Sequence, residues 1–214
     1  MAITGFISFG YVVGHMAGNL QIYMGQDRLN SYAEGLHSLG PLLWIIRLVL
    51  LASFITHIWL ASLLKLEDWA ARPTGYVKKA TVKASLSSRT MIYTGLMILA
   101  FVVYHILHFT IHVADPSFSH LVDPQGRKDV YSMVIIGFSH RLVSAVYIIA
   151  VGLLSYHLSH GVKSMFQSLG LNSESCEKTL SVIGWFFAII VFLGFISVPI
   201  GVMAGWVTLP GGGY

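Results

Sequence analysis

The chain has 214 residues, 55% of them hydrophobic and only 10% charged, with a mean hydropathy of +0.72, a balance that excludes an ordinary water-soluble domain and indicates an integral membrane protein. Its single cysteine, Cys176, excludes intrachain disulfides, Cys-rich zinc sites, iron–sulfur ligation by this chain alone and covalent C-x-x-C-H haem attachment. The formal net charge of +4 is modest, and in a membrane protein it reports topology rather than binding to nucleic acid.

Five apolar segments follow in chain order at about 1–22, 40–64, 90–113, 131–160 and 180–207. Each is long enough to cross ~30 Å of hydrocarbon as a helix. The spacing predicts an all-α fold: one transmembrane domain over 1–214, an integral membrane bundle of five helices. The first segment has no basic leader and no cleavage site, so it reads as a retained helix. The connection after the second segment holds Lys65, Arg72, Lys78, Lys79, Lys83 and Arg89, and the one after the fourth holds Lys163 and Lys178. The connections 23–39 and 114–130 hold only Arg28, Arg127 and Lys128. Eight against three places the N-terminus and the 65–89 loop on the cytoplasmic side of the cell membrane, with the C-terminus outside.

The third segment carries His105, His108 and His112 on one helix face. An imidazole at membrane depth is costly unless paired, so it marks a functional site. Counted inward from the cytoplasmic helix ends, His15 and His105 lie ~21 and ~24 Å deep, whereas His57 and His157 lie ~12 and ~9 Å deep. The four sort into an outer level (His15 on the first helix, His105 on the third) and an inner level (His57 on the second, His157 on the fourth). Two histidines facing each other from different helices are what a six-coordinate haem b requires. By the same depths His108, His112 and His160 are interfacial or support the ligands, and His37, His120 and His140 belong to loops or helix ends.

Thr4-Gly5 precedes His15 by ten residues, and Thr94-Gly95 precedes His105 by the same interval. Ten residues are ~15 Å of helix, which brings Gly5 and Gly95 to the depth of His57 and His157. A glycine there leaves room for a haem ring. Arginines in or at the mouths of the apolar segments, Arg47, Arg89 and Arg141, are candidate partners for haem propionates, Arg89 at the inner level and Arg47 or Arg141 at the outer. Simple snorkelling to the interface is their alternative role. All nine carboxylates fall outside the apolar segments, so no carboxylate relay crosses the bilayer.

Several runs together resemble a known family: His15-Met-Ala-Gly-Asn-Leu, Asn30-Ser-Tyr-Ala, Ala71-Arg-Pro-Thr-Gly-Tyr, Thr94-Gly95 to Tyr104-His105, and Tyr156-His157-Leu-Ser-His-Gly. The chain resembles the di-haem cytochrome b membrane-anchor subunit of succinate:quinone oxidoreductases, the b558-type succinate dehydrogenases and related fumarate reductases. The resemblance implies His15 with His105 on the outer haem and His57 with His157 on the inner one. It also implies a flavoprotein subunit and an iron–sulfur subunit as partners, docked at the cytoplasmic 65–89 loop. A membrane quinone, menaquinone favoured, would react near the outer haem, with Glu34 and His37 of the loop between the first two helices exchanging its protons. Membrane lipid would cover the remaining surface. Competing readings are the cytochrome b of a hydrogenase, formate dehydrogenase or nitrate reductase, a transmembrane ferric reductase, and a haem-free transporter.

Overall fold

The computed structural model describes residues 1–71, 86–171 and 173–211. Seven α-helices are present among them: α1 (Ala2–Asn19), α2 (Gln26–Ser38), α3 (Pro41–Ala70), α4 (Leu86–His105), α5 (Val130–Ser139), α6 (Arg141–Ser168) and α7 (Glu174–Met203). No strand occurs among the described residues; one isolated bridge pairs Val122 with Lys128. Four helices are long and apolar enough to cross a membrane: Pro41–Ala70, Ser88–Thr110, Arg141–Ser168 and Cys176–Met203. The first helix is not among the four, because Gly10, Gly14, His15, Gly18 and Asn19 dilute its apolar character.

The exposed apolar surface suits a membrane better than water. Along α3 only Ser53 is buried, while Leu48, Val49, Leu51, Ile55 and Trp59 are exposed. A helix apolar all round and bare on most sides is a membrane helix or a buried one, and among the described residues α1 and α4 cover only part of it. Its start is set by Gly40 at φ +54°, which turns the chain, followed by Pro41 in the first turn, where a missing N–H costs nothing. In α7, Pro199 sits inside the helix, and Ser197 Oγ donates to Gly194 O at 2.7 Å in the turn just before it.

Helices α6 and α7 approach most closely. A Cβ at Gly184 would lie 2.5 Å from the Ser159 carbonyl oxygen, so only glycine allows that contact. Helix α1 packs against α3, α6 and α7, and α4 packs against α6. Neighbours run antiparallel: Gly5 near the start of α1 meets His57 in the second half of α3, and Gly95 of α4 meets His157 of α6.

Two expectations are corrected. The apolar run 131–160 is not one helix. It breaks at His140, whose extended backbone (φ −77°, ψ 106°) separates α5 from α6. An unbroken helix from 130 to 168 would be ~58 Å long, far more than a bilayer core accepts. At the break Ser144 Oγ donates to Phe138 O at 2.6 Å, and Ser139 Oγ adds a bond to Ile135 O at 2.7 Å within the last turn of α5. Helix α5 is almost wholly buried, so its apolar residues serve a protein core and not lipid. The connection 23–39 is likewise no loop: it folds as the amphipathic helix α2, packed on α5. Glu34 and His37 are therefore helical.

A polar cap closes this end of the bundle. The Asn30 side chain, buried in α2, donates to Asp123 at 3.1 Å and Asp129 at 3.0 Å, and its oxygen accepts from Tyr131 N at 3.0 Å. Gln26 donates to the second Asp129 oxygen at 2.8 Å. Arg127 donates to Asp123 at 2.7 Å and Asp27 at 2.9 Å, and also to the Ser31 hydroxyl. Burial pushes the Asp123 carboxyl upward, but the Arg127 N–H, the Asn30 amide, the Arg127 guanidinium and the Gln125 N–H together hold it below the ordinary 3.8.

Asn30→Ala removes one donor from each carboxylate and the acceptor of the buried Tyr131 N–H, and should destabilise the cap by ~1–3 kcal/mol, read as a lower thermal midpoint in detergent. Because Asp123 ionises below its unfolded value, its contribution is complete above pH 3.8 and is lost as pH falls through the depressed folded value. Acid titration followed by hydrogen exchange at residues 121–131 should show the cap opening only below that pH.

Candidate functional site

The four histidines singled out by depth occupy two levels of the bundle. At the level toward Met1, Gly5 faces His57 and Gly95 faces His157. A Cβ at Gly5 would lie 3.6 Å from His57 Cε1, and one at Gly95 would lie 3.7 Å from His157 Cε1. Thr4 Oγ1 approaches His57 Nδ1 at 3.2 Å, and Thr94 Oγ1 approaches His157 Nδ1 at 3.1 Å. His57 and His157 lie within electrostatic reach of each other. The Thr-Gly pair of one helix thus frames the histidine of its antiparallel neighbour, twice.

At the level toward the polar cap, the rings of His15 and His105 are 5.8 Å apart and nearly perpendicular, at 81°. Imidazoles bound to one metal from opposite sides, with bonds of ~2 Å and ring centres ~1 Å behind each nitrogen, would have centres ~6 Å apart. The observed separation is close to that value and also lies within the ~4.5–7 Å of an ordinary edge-to-face ring pair. Tyr11 stacks on His15 at 5.4 Å, and Phe195 lies 5.8 Å from it. The Asn19 amide is 3.4 Å from both ring nitrogens of His15.

His105 has a partner that sequence reasoning missed. The Tyr147 hydroxyl of α6 lies 3.4 Å from His105 Nδ1 and 3.1 Å from His108 Nδ1. His108 is fully buried, stacked on Tyr104 at 5.4 Å and packed against Phe109 and Phe118. It shares the Tyr147 hydroxyl with His105, as a residue supporting that ligand would, and it lies in the wider π turn over Ile106–Thr110. The spacing signal for Tyr147 was present, ten residues before His157 as Gly95 is before His105, but tyrosines in apolar helices are too common for it to be decisive. His112 takes a left-handed backbone, φ +61°, where the π turn ends.

The remaining candidates sit outside these pairs. Arg47 is exposed on α3, its guanidinium 5.1 Å from the centre of the Trp44 ring and within electrostatic reach of Tyr11. It therefore borders the His15 side of the upper level. Arg89 is exposed near the start of α4 and Arg141 at the start of α6. Glu34 and His37 are exposed on α2; His37 Nδ1 donates to Ala33 O at 2.8 Å, and neither makes a hydrogen bond to the histidine pairs. Residues 72–85, which hold most of the basic loop and the Arg72-Pro-Thr-Gly-Tyr run, lie outside the described residues.

Among the described residues no group of three or more His, Cys, Asp or Glu side chains could hold a metal ion. The donors come in pairs, which suits a macrocycle that brings its own four equatorial nitrogens. No protein-family model, no curated protein and no solved structure matches the chain.

Room at Gly95 is graded. Alanine there would make an ordinary contact with His157, whereas a leucine would displace the ring. Gly95→Ala should retain whatever low-spin haem the purified chain binds at His57 and His157, and Gly95→Leu should lose it while sparing the His15/His105 level. Damage confined to His15 and His105 in the visible spectrum would require the pairs to be redrawn.

Proposed function

We propose that the chain is the membrane-anchor cytochrome b subunit of a succinate:quinone oxidoreductase, with two b haems held by His15 with His105 and by His57 with His157. The observation that carries this reading is the doubled arrangement at the Met1 level, a glycine and a hydroxyl on one helix facing a histidine on the next. Packing alone would explain the glycines but not their hydroxyl partners on Nδ1. The 5.8 Å separation of His15 and His105 supports the second pair. So bound, the haems supply one-electron transfer between an iron–sulfur subunit and membrane quinone.

In this reading α1 is the fifth membrane span, beside the four longer helices, and its polar residues are tolerated because they face the cofactors and not lipid. The N-terminus and the basic 65–89 loop lie on the cytoplasmic side, where the flavoprotein and iron–sulfur subunits dock. Arg89 stands at that mouth and Arg47 and Arg141 toward the other end, placed to neutralise propionates. Quinone, menaquinone favoured, reacts at the cap end, where α2 presents Glu34 and His37 to solvent for proton exchange. Two histidines at each level would leave a haem no open position for oxygen, so such a group would supply electron transfer there.

The test is a purified chain carrying two low-spin b haems whose reduced spectrum barely changes with carbon monoxide. His57→Ala or His157→Ala should each abolish the same haem, and His15→Ala or His105→Ala the other, because an axial bond lost in an apolar pocket is not replaced by water without cost. A colourless chain, or co-purification with partners other than a flavoprotein and an iron–sulfur protein, would remove the proposal.

A further inference from the structure

Thr4 and Thr94 belong to the helices that carry His15 and His105, yet their hydroxyls reach the rings of the other pair. A threonine hydroxyl has one proton to give and lone pairs to receive with. In both cases that proton has a destination within the threonine's own helix. Thr4 Oγ1 donates to Met1 O at 2.8 Å, and Thr94 Oγ1 donates to Thr90 O at 3.2 Å and Met91 O at 3.1 Å. Such back-bonding to the preceding turn is natural for helical threonine. With the proton so committed, each hydroxyl meets Nδ1 only as an acceptor. Nδ1 therefore carries the ring hydrogen, and Nε2 keeps a bare lone pair.

The opposite assignment is worse on both counts. It would break the bond to the backbone and put the hydrogen on Nε2, where among the described residues neither ring finds a hydrogen-bond partner. A donor left unmet in a low-dielectric interior costs more than the exchange returns. We propose that Thr4 and Thr94 are positioning residues that reach across from neighbouring helices and lock His57 and His157 in the Nδ1–H tautomer, presenting both Nε2 atoms to one haem iron and setting its potential. This rests on the di-haem reading above. Accepting the Nδ1 hydrogen makes Nε2 a more basic ligand, which favours ferric over ferrous iron.

Redox titration and low-temperature electron paramagnetic resonance of the purified full-length chain test the lock. Valine keeps the volume of threonine and removes the acceptor. Thr94→Val should weaken ferric relative to ferrous binding at the His57/His157 haem by about tenfold, the lower end of what a lost supporting partner costs, which is a rise of about 59 mV in midpoint. Thr4→Val should move the same haem in the same direction from the other helix, and the His15/His105 haem should stay in place in both. Thr94→Ser keeps the hydroxyl and should return the wild-type midpoint and spectrum, which a merely space-filling role would not require. Unmoved midpoints in the valine variants, a shift confined to the other haem, or a serine variant that behaves like valine would overturn the tautomer lock and leave the di-haem reading standing. A wild-type chain without two low-spin haems would overturn both. If Thr94→Val does not assemble, the Thr4→Val and Thr94→Ser results decide the matter alone.

Discussion

An imidazole packed among apolar helices has two polar nitrogens and little water to meet them, and that constraint organises this bundle. Each of the four paired histidines has a partner beside its ring: a threonine hydroxyl for His57 and for His157, the Tyr147 phenol for His105, the Asn19 amide for His15. Three of these partners come from a different helix, so helix positions are fixed by polar contacts as much as by packing. The apolar residues around them have little say in the matter. In a lipid setting, burying a leucine against another helix gains little over leaving it in acyl chains, and α3, packed by α1 and α4 on one side, leaves most of its apolar residues exposed.

The cap end obeys a different rule. There the chain folds back on itself through α2, the 121–129 loop and α5, and buries a continuous core around Ile22, Leu29, Phe118, Ile135, Phe138 and Val202. That core is assembled like the core of a soluble protein, by an amphipathic helix laid over an apolar one and sealed with charge. Asp123 and Asp129 are buried there, which is tolerable because Asn30, Gln26 and Arg127 supply hydrogen bonds to their oxygens. One chain thus combines long apolar helices with a closed core, which continues past the break at His140 to Tyr147 of α6 and Val198 and Val202 of α7.

This division explains what was legible in the sequence. Counting brought His15 together with His105 and His57 together with His157, as the structure has them, and the Thr-Gly recurrence ten residues before His15 and His105 placed Gly5 and Gly95 at the rings they face. Apolar run length does not distinguish lipid from a protein core, so Val130–Ser139 read as the beginning of a span. The Gln26–Ser38 helix was hidden by its polarity, since its weakly apolar face takes meaning only from the α5 surface beneath it. For His108 counting left two roles open, and the Tyr147 hydroxyl it shares with His105 was beyond the reach of counting, because residue numbers do not show which side chain of a neighbouring helix lies opposite.

The recurrence extends further than the Thr-Gly pairs. Ten residues before His157 stands Tyr147, and ten before His57 stands Arg47, so the pairs α1/α3 and α4/α6 read as two copies of one antiparallel unit. Toward Met1 the copies agree residue for residue: threonine, glycine and histidine on each side. Toward the cap they agree only in the histidines. Tyr147 lies beside His105 among Phe101, Phe109 and Phe138, a dry aromatic wall, while Arg47 lies by Tyr11, which stacks on His15. The upper level is therefore aromatic on its α6 side and cationic on its α3 side, and α7, which has no counterpart in the repeat, fills the gap with Phe195 and Gly194 against His15 and Met16. A symmetric lower level and a polarised upper one are the expected outcome when two copies of a unit must also meet a cap that only one end of the bundle possesses.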